Sequence, residues 1–335
     1  MSPGPQGGSA LDVVATALGR RAKRNEPLGA RTTYRVGGAA AVLVDAQGED
    51  DLVRVHEAIA AAGAAVPVLV LGRGSNLLVA DAGFDGVVVA VGRGFDWKQI
   101  DDTTVRAGAA RPLPVVARDS ARAGLRGLEW GVGVPGSVGG ALRMNAGGHG
   151  SDVAAVLSSG RLFDLAAGEG RVVEASQLAL GYRRSAIGPG EVVVWGEFAL
   201  ARGERAEAEE ALADVVRWRK EHQPGGSNAG SVFTNPPEDS AGRLVEAAGL
   251  KGFRLGSAQV SPKHANFIQA DSDGSADDVR RLIDHVRSVV EERTGVTLEP
   301  EVRLVGFSAR VPGAVSARRV PGPGEGSTST GGRDR

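Results

Sequence analysis

No cysteine occurs anywhere in the 335 residues, which excludes disulfides, thiolate metal sites and thiol catalysis together. Neither sign of charge is in excess, with 39 Lys and Arg against 40 Asp and Glu. No broad nucleic-acid or membrane-surface footprint is therefore expected, and any ligand phosphate must be met locally by backbone and a few side chains. The five histidines, His56, His149, His222, His264 and His285, lack metal-ligand spacing, so no metal centre is expected. Long apolar runs are also missing: residues 58–72 carry no charge, but the stretch is too short to span a bilayer and Pro67 interrupts it. The first ten residues have neither the basic start nor the apolar segment of a signal peptide. A cytoplasmic protein with no membrane insertion and no obligate protein partner is the expectation.

Glycine, by contrast, is abundant and concentrated. Residues 71–79 read Leu-Gly-Arg-Gly-Ser-Asn-Leu-Leu-Val, and residues 131–150 read Gly-Val-Gly-Val-Pro-Gly-Ser-Val-Gly-Gly-Ala-Leu-Arg-Met-Asn-Ala-Gly-Gly-His-Gly. Glycine lets backbone approach a ligand closely and aim N–H groups at phosphate oxygens. Around these loops the hydrophobic pattern divides the chain into three units. The first alternates short strands (40–44, 66–71, 86–91) with one helix over 49–62, whose Leu52, Val55 and Ile59 make a single stripe. The second has strands at 104–107, 157–165 and 192–199. A third opens with a polar helix over 204–221, with Leu212, Val215 and Val216 as its apolar face. It continues to a helix over 275–293 that Ser275 caps and Gly295 ends, then to a final strand over 297–305. The succession is α+β and not the regular alternation of a doubly wound sheet. Beyond about residue 308 the composition is that of a disordered tail.

Residues 131–136 match the G-x-G-x-x-G dinucleotide fingerprint letter for letter. That fingerprint should follow a strand and open a helix, whereas residues 114–124 carry a helical pattern and Gly139 and Gly140 disfavour a helix afterwards. A loop wrapping a cofactor's phosphates is the better reading, with a ligand-free glycine turn as the alternative. The 71–79 stretch lacks the Lys-Ser/Thr pair of a P-loop but can form an anion-binding nest. Ser231, in the polar loop 223–236, reads as a turn residue or cap, or as a hydroxyl placed to donate a proton. In the final strand, alternation sets Glu299, Glu301 and Arg303 on one face, and spacing alone favours a solvated charged edge. Residues 182–185, Tyr-Arg-Arg-Ser, read equally as a surface loop.

Taken in order, eight segments resemble the UDP-N-acetylenolpyruvoylglucosamine reductase family, flavoenzymes that make UDP-N-acetylmuramate for bacterial peptidoglycan. They are Thr32-Thr-Tyr-Arg-Val-Gly-Gly38, Gly72-Arg-Gly-Ser-Asn-Leu-Leu78, Val134-Pro-Gly-Ser-Val-Gly-Gly-Ala141 with Met144-Asn-Ala-Gly147, and Tyr182-Arg-Arg-Ser185. Gly230-Ser-Val-Phe-Thr-Asn-Pro236, Ala247-Ala-Gly-Leu-Lys-Gly252, Lys263-His-Ala-Asn266 and Leu298-Glu-Pro-Glu301 complete the set. Each is weak alone; collinear over most of the chain, they are specific.

The resemblance implies two α+β subdomains clasping FAD in the vanillyl-alcohol-oxidase (PCMH) type of fold, followed by an α+β substrate-binding domain. The expected division is an N-terminal segment and first helix (1–23), FAD subdomains over 24–92 and 93–201, a substrate domain over 202–307, and a tail over 308–335. FAD contacts are implied at Tyr34, at Gly72, Arg73, Gly74, Ser75, Asn76 and Leu77, and at Gly133, Pro135, Gly136, Ser137, Gly139 and Gly140. Asn145, Ala146 and Gly147 complete the FAD set. NADPH is the implied hydride source and a nucleotide sugar the implied partner. By motif match, Arg183 and Glu301 would stabilise charge on the substrate carboxylate and Ser231 would donate a proton. Tyr182, Arg219, Lys220, Asn228, His264 and Asn266 are the candidate substrate contacts. His149 stands where an aromatic residue often follows the family's Asn-Ala-Gly. Between Gly252 and Lys263 there is no room for an extra substrate-covering loop, which matches the shorter type of the family. A sibling flavin oxidoreductase and a catalytically silent flavin-binding protein are the competing readings. The complete set Tyr182, Arg183, Ser231 and Glu301 argues for the reductase.

Overall fold

A computed structural model of the chain describes residues 9–307. Residues 1–8 of the expected N-terminal segment (1–23) and the expected disordered tail (308–335) lie outside the described residues. In chain order the first elements are α1 (Ala10–Leu18), β1 (Lys23–Pro27), β2 (Ala39–Ala46), α2 (Glu49–Ala61), β3 (Val68–Leu71), β4 (Leu77–Val79) and β5 (Phe84–Val91). Strands β1-β2-β5-β3 form one sheet, in which β2, β5 and β3 run parallel and β1 is antiparallel to β2. Parallel neighbours need a crossover, and α2 supplies it between β2 and β3. Strand alternation sends Val42, Val44, Val87 and Val89 to a core with Leu52 and Val55 of α2 and Val14 and Leu18 of α1. Leu43, Val88 and Ala90 face the other way, against Leu28 and Leu71. Both faces are covered, which is why β5 reads Val-Val-Val-Ala-Val, an unbroken apolar run over 87–91.

The second unit contains β6 (Lys98–Asp101), β7 (Thr104–Gly108), α3 (Leu113–Arg122), α4 (Val138–Met144) and the strands Leu157–Asp164, Glu169–Glu174 and Glu191–Ala199. Its five strands form an antiparallel sheet. One face offers Phe163, Val192 and Val194 to the core of the first unit. The other packs Leu162, Val193 and Phe198 onto Val116 of α3 and Leu142 of α4. This sheet is thus a wall shared by two cores, and it fixes the two glycine loops relative to each other.

Helix α4 forms although Gly139 and Gly140 were expected to disfavour it. Ser137 caps it, its hydroxyl accepting the Gly140 N–H at 3.4 Å, and a Cβ on Gly139 would come within 3.0 Å of the Ala109 Cβ. Glycine here allows close packing of helix on sheet, which offsets its poor propensity. The fingerprint still fails at its other end, because residues 131–133 belong to a 3-10 turn over Glu129–Gly133 and not to a strand-to-helix junction.

The third unit contains α5 (Arg205–His222), α6 (Ala241–Ala247), α7 (Ala276–Thr294) and the antiparallel strands Arg254–Leu255, Ala258–Val260 and Ile268–Ala270. Helix α7 begins at the Ser275 cap and ends at left-handed Gly295. Its Val279, Leu282, Ile283, Val286 and Val290 are buried, each contributing about 1.5–3 kcal/mol. A second cap reaches it from the first unit: Asp81 accepts the N–H groups of Ala276 (2.9 Å) and Asp277 (3.1 Å) and the Ser275 hydroxyl (2.5 Å). On α5 the buried stripe is Ala208, Leu212 and Val215; Val216, expected in that face, is exposed.

The final segment is not one strand. Thr234 N–H donates to Glu299 O, Glu301 N–H to Val232 O and Arg303 N–H to Asn76 O, and only Arg303–Val305 forms a strand, parallel to β4. The chain changes partners from the third unit to the first within five residues. Among the described residues, no helix is long and apolar enough to cross a membrane.

Candidate functional site

A cleft of about 670 Å³ lies where the three units meet. One wall is the 72–77 loop after β3, all six residues of which line it. The opposing wall is formed by Gly133, Pro135, Gly136, Ser137, Gly139, Gly140, Ala146 and Gly147. These loops touch: a Cβ on Gly72 or on Gly136 would stand 2.8 Å from the hydroxyl of Ser137 or Ser75 respectively. Gly74 has φ +61°, and a Cβ there would meet Arg31 O at 2.3 Å. Among the described residues, none of the backbone N–H groups of 73–76 donates to a protein acceptor. An unspent row of N–H groups facing a cleft is an anion-binding nest. The donor set fits the diphosphate of a flavin dinucleotide, and the apolar side chains Val70, Leu113 and Val193 beside it fit a planar ring.

Arg183, Ser231 and Glu301 all line this same cleft, though they come from three distant segments. Arg183 Nε lies 3.0 Å from Glu301 Oε1, with both side chains largely covered. It is an ion contact and not an aligned hydrogen bond, since the buried Nε–H has no acceptor among the described residues. Arg183 adopts a left-handed backbone, φ +55°, and its guanidinium stacks on the Tyr182 ring at 5.2 Å. Glu301 is held through its main chain: its N–H donates to Val232 O (2.7 Å) and its carbonyl accepts from Asn76 Nδ2 (3.1 Å). Burial raises the Glu301 carboxyl above its ordinary value and outweighs the opposing pull of Arg183. Glu299, its equal by alternation, is exposed outside the cleft.

Ser231 follows left-handed Gly230, whose N–H donates to Asn228 Oδ1 at 3.0 Å. Among the described residues the Ser231 hydroxyl has no partner. Asn228 and half-buried Arg219 also line the cleft.

Six expected contacts lie elsewhere. Tyr34 is fully buried in the core of the third unit with its hydroxyl unpartnered. Asn145, the left-handed cap of α4, spends its amide on Asp152, Gly181 and Ala154. Tyr182 is exposed outside the cleft and Lys220 is solvated. His264 accepts the Asn266 N–H and packs on Phe267. Asn266 is buried and bonds both backbone groups of Phe233 (3.0 and 2.8 Å). It therefore positions the loop carrying Ser231 and does not reach the cleft.

Arg143, Glu191 and Arg303 line the cleft without having been singled out as binding residues. For Arg143 the available signal was a charge between Leu142 and Met144 in a short buried helix.

Two family profiles match the chain: "FAD binding domain" over residues 40–176, and "UDP-N-acetylenolpyruvoylglucosamine reductase, C-terminal domain" over residues 222–305. UDP-N-acetylenolpyruvoylglucosamine reductase 2 of Symbiobacterium thermophilum is 42% identical over 87% of this chain and 94% of its own length. The chain belongs to the UDP-N-acetylenolpyruvoylglucosamine reductase family. The Heliobacterium modesticaldum reductase is 40% identical over 85% of this chain and 91% of its own. The crystal structure of the reductase from Thermus caldophilus superposes with a TM-score of 0.73 at 36% identity, covering 85% of this chain and 99% of that one. Members of this reductase family are flavin-dependent oxidoreductases of peptidoglycan synthesis that use FAD and NADPH. The α+β architecture is accordingly that of the reductase family, with an FAD-binding domain over residues 40–176.

Proposed function

We propose that the chain reduces UDP-N-acetylglucosamine enolpyruvate to UDP-N-acetylmuramate in the cytoplasm, with NADPH as hydride source and Ser231 as proton donor. The observation that carries this reading is the convergence of Arg183, Glu301 and the unpartnered Ser231 hydroxyl on one cleft walled by the two glycine loops. Residues 24–92 and 93–201 act as the halves that hold FAD, and residues 202–307 supply Ser231 and Glu301. FAD, when bound, relays a hydride from NADPH to the terminal carbon of the enolpyruvyl double bond.

The remaining work falls to side chains. As the terminal carbon gains hydride, negative charge accumulates on the neighbouring carbon and its carboxylate. Arg183, with an unspent Nε–H, and Glu301, raised in pKa and so more readily protonated, offer preorganised donors to that carboxylate. Ser231 then gives its proton to the carbon bearing the ether oxygen. A hydroxyl is a weak acid, so it acts only because it is placed beside charge, an effect of roughly 10²- to 10⁴-fold. Arg219 and Asn228 are the cleft residues proposed to hold the nucleotide sugar.

The test is a visible spectrum of the purified protein followed by NADPH oxidation with and without the enolpyruvyl substrate. A yellow protein whose NADPH oxidation is stimulated by substrate supports the proposal. A colourless protein that FAD cannot reconstitute ends the flavin reading, and a flavin whose reoxidation ignores the substrate assigns the chain to a different oxidoreductase.

A further inference from the structure

The trio of Arg183, Ser231 and Glu301 leaves much of the cleft's charge unexplained. Five arginines line it, Arg73, Arg143, Arg183, Arg219 and Arg303, against two glutamates, Glu191 and Glu301. Glu301 is committed to Arg183, and Glu191 to Arg171 and the Gly188 N–H. Arg143, in the last turn of α4, is half-buried and donates through one Nη to the carbonyls of Ile187 and Gly188. Those acceptors are neutral, and the guanidinium forms no ion pair among the described residues.

The Arg303 side chain forms no ion pair among the described residues. Its backbone N–H donates to Asn76 O at 3.0 Å, so it stands beside the row of free N–H groups at 73–76. Burial first, and the charge of Arg303 second, push the Arg143 guanidinium below its ordinary value, against a smaller opposing pull from Glu191. Both cations thus line one cleft, Arg143 half-buried and Arg303 exposed, and neither forms an ion pair among the described residues. A bound dianion offsets the burial of Arg143 and the repulsion between the two, and guanidinium forks match phosphate oxygens.

We propose that Arg143 and Arg303 form a side-chain subsite for a nucleotide phosphate, separate from the backbone nest at 73–76. The proposal rests on the reading of the cleft as the FAD site. Two groups offer this chemistry, the diphosphate of FAD and the 2′-phosphate that distinguishes NADPH from NADH, and binding measurements separate them.

The full-length apoprotein is titrated with FAD by flavin fluorescence at several salt concentrations, in the wild type and in Arg143→Gln, Arg143→Lys and Arg303→Gln. Each loaded protein is then reduced with NADPH and with NADH. Losing a charge-assisted phosphate contact weakens the ligand concerned by about tenfold and flattens its salt dependence. Weaker FAD binding in both Gln variants, with the NADPH preference intact, identifies the FAD diphosphate. Unchanged FAD binding with a collapsed NADPH preference identifies the 2′-phosphate. In either case Arg143→Lys retains more affinity than Arg143→Gln. The proposal is overturned if neither ligand responds, or if only the Arg143 variants respond, since Arg143 would then merely tie α4 to residues 187–188. A wild-type protein that binds no FAD instead overturns the reading of the cleft.

Discussion

The two sides of the cleft are built from different materials. The proposed cofactor side is mostly backbone: the 72–77 loop has unspent N–H groups at 73–76, and at Gly72, Gly74, Gly136 and Gly139 a Cβ would crowd neighbouring atoms. The reacting side is made of side chains, Arg183, Ser231 and Glu301, each brought in by a different segment. A backbone surface recognises what every flavin dinucleotide shares. The chemistry of one particular substrate must be placed by charge and hydroxyl groups, and these can be altered singly without unmaking the cradle.

That contrast can be broken from either side. After Ser231→Ala, the largest effect is expected for Arg183→Ala, which removes a donor to the developing carboxylate charge and should slow substrate reduction by about 10²- to 10³-fold. Rapid-mixing measurement should find flavin reduction by NADPH far less affected. Equal losses in both halves would mean that Arg183 belongs to the cofactor side.

Glu301 gives the pH test. Because burial raises its pKa, it holds its proton at higher pH than a free glutamate does. If the protonated form assists the carboxylate, the rate of substrate reduction falls as pH rises through that value, by about tenfold per pH unit beyond it. Glu301→Gln, which mimics the neutral form, should flatten that limb, and a profile unchanged by the substitution would contradict the role. The same sign holds for stability: a carboxyl with a raised folded-state pKa costs stability as pH rises through it.

On the backbone side, Gly74→Ala forces a Cβ into a left-handed residue and against Arg31 O. It should destabilise the protein by about 1–3 kcal/mol and weaken FAD binding, as read by thermal unfolding and FAD titration. An unperturbed FAD affinity would show that the nest tolerates reshaping. The smallest effect is expected for Asp81→Ala, which removes the cap that the first unit lends to α7. A loss of about 1 kcal/mol in urea unfolding is anticipated, with both half-reactions retained.

The same contrast governs what was legible in the sequence. Helices α2 and α7 follow from periodicity, because one face of each meets a core, and β2, β3 and β5 follow from short apolar runs, because both their faces are covered. The glycine loops announced themselves by composition. Reading α4 as disfavoured failed because a cap at Ser137 and close packing at Ala109 outweigh local propensity. The final segment looked like one strand because alternation cannot show that its partners change between Glu299 and Arg303. Glu301 and Glu299 were indistinguishable by spacing, and only the family resemblance selected the one that enters the cleft. Asn266 was read as a substrate contact because a motif marks a residue as needed without saying whether it touches the ligand or supports a loop that does.

The central claim is that one cleft passes a hydride on its backbone side and a proton on its side-chain side, with Ser231 supplying the proton. The most direct measurement compares wild type and Ser231→Ala under anaerobic stopped flow, first reducing the flavin with NADPH and then mixing the reduced enzyme with the enolpyruvyl substrate. The account predicts NADPH reduction within about twofold of wild type and flavin reoxidation by substrate slowed roughly 10²- to 10⁴-fold. Equal slowing of both steps, or of neither, would contradict it.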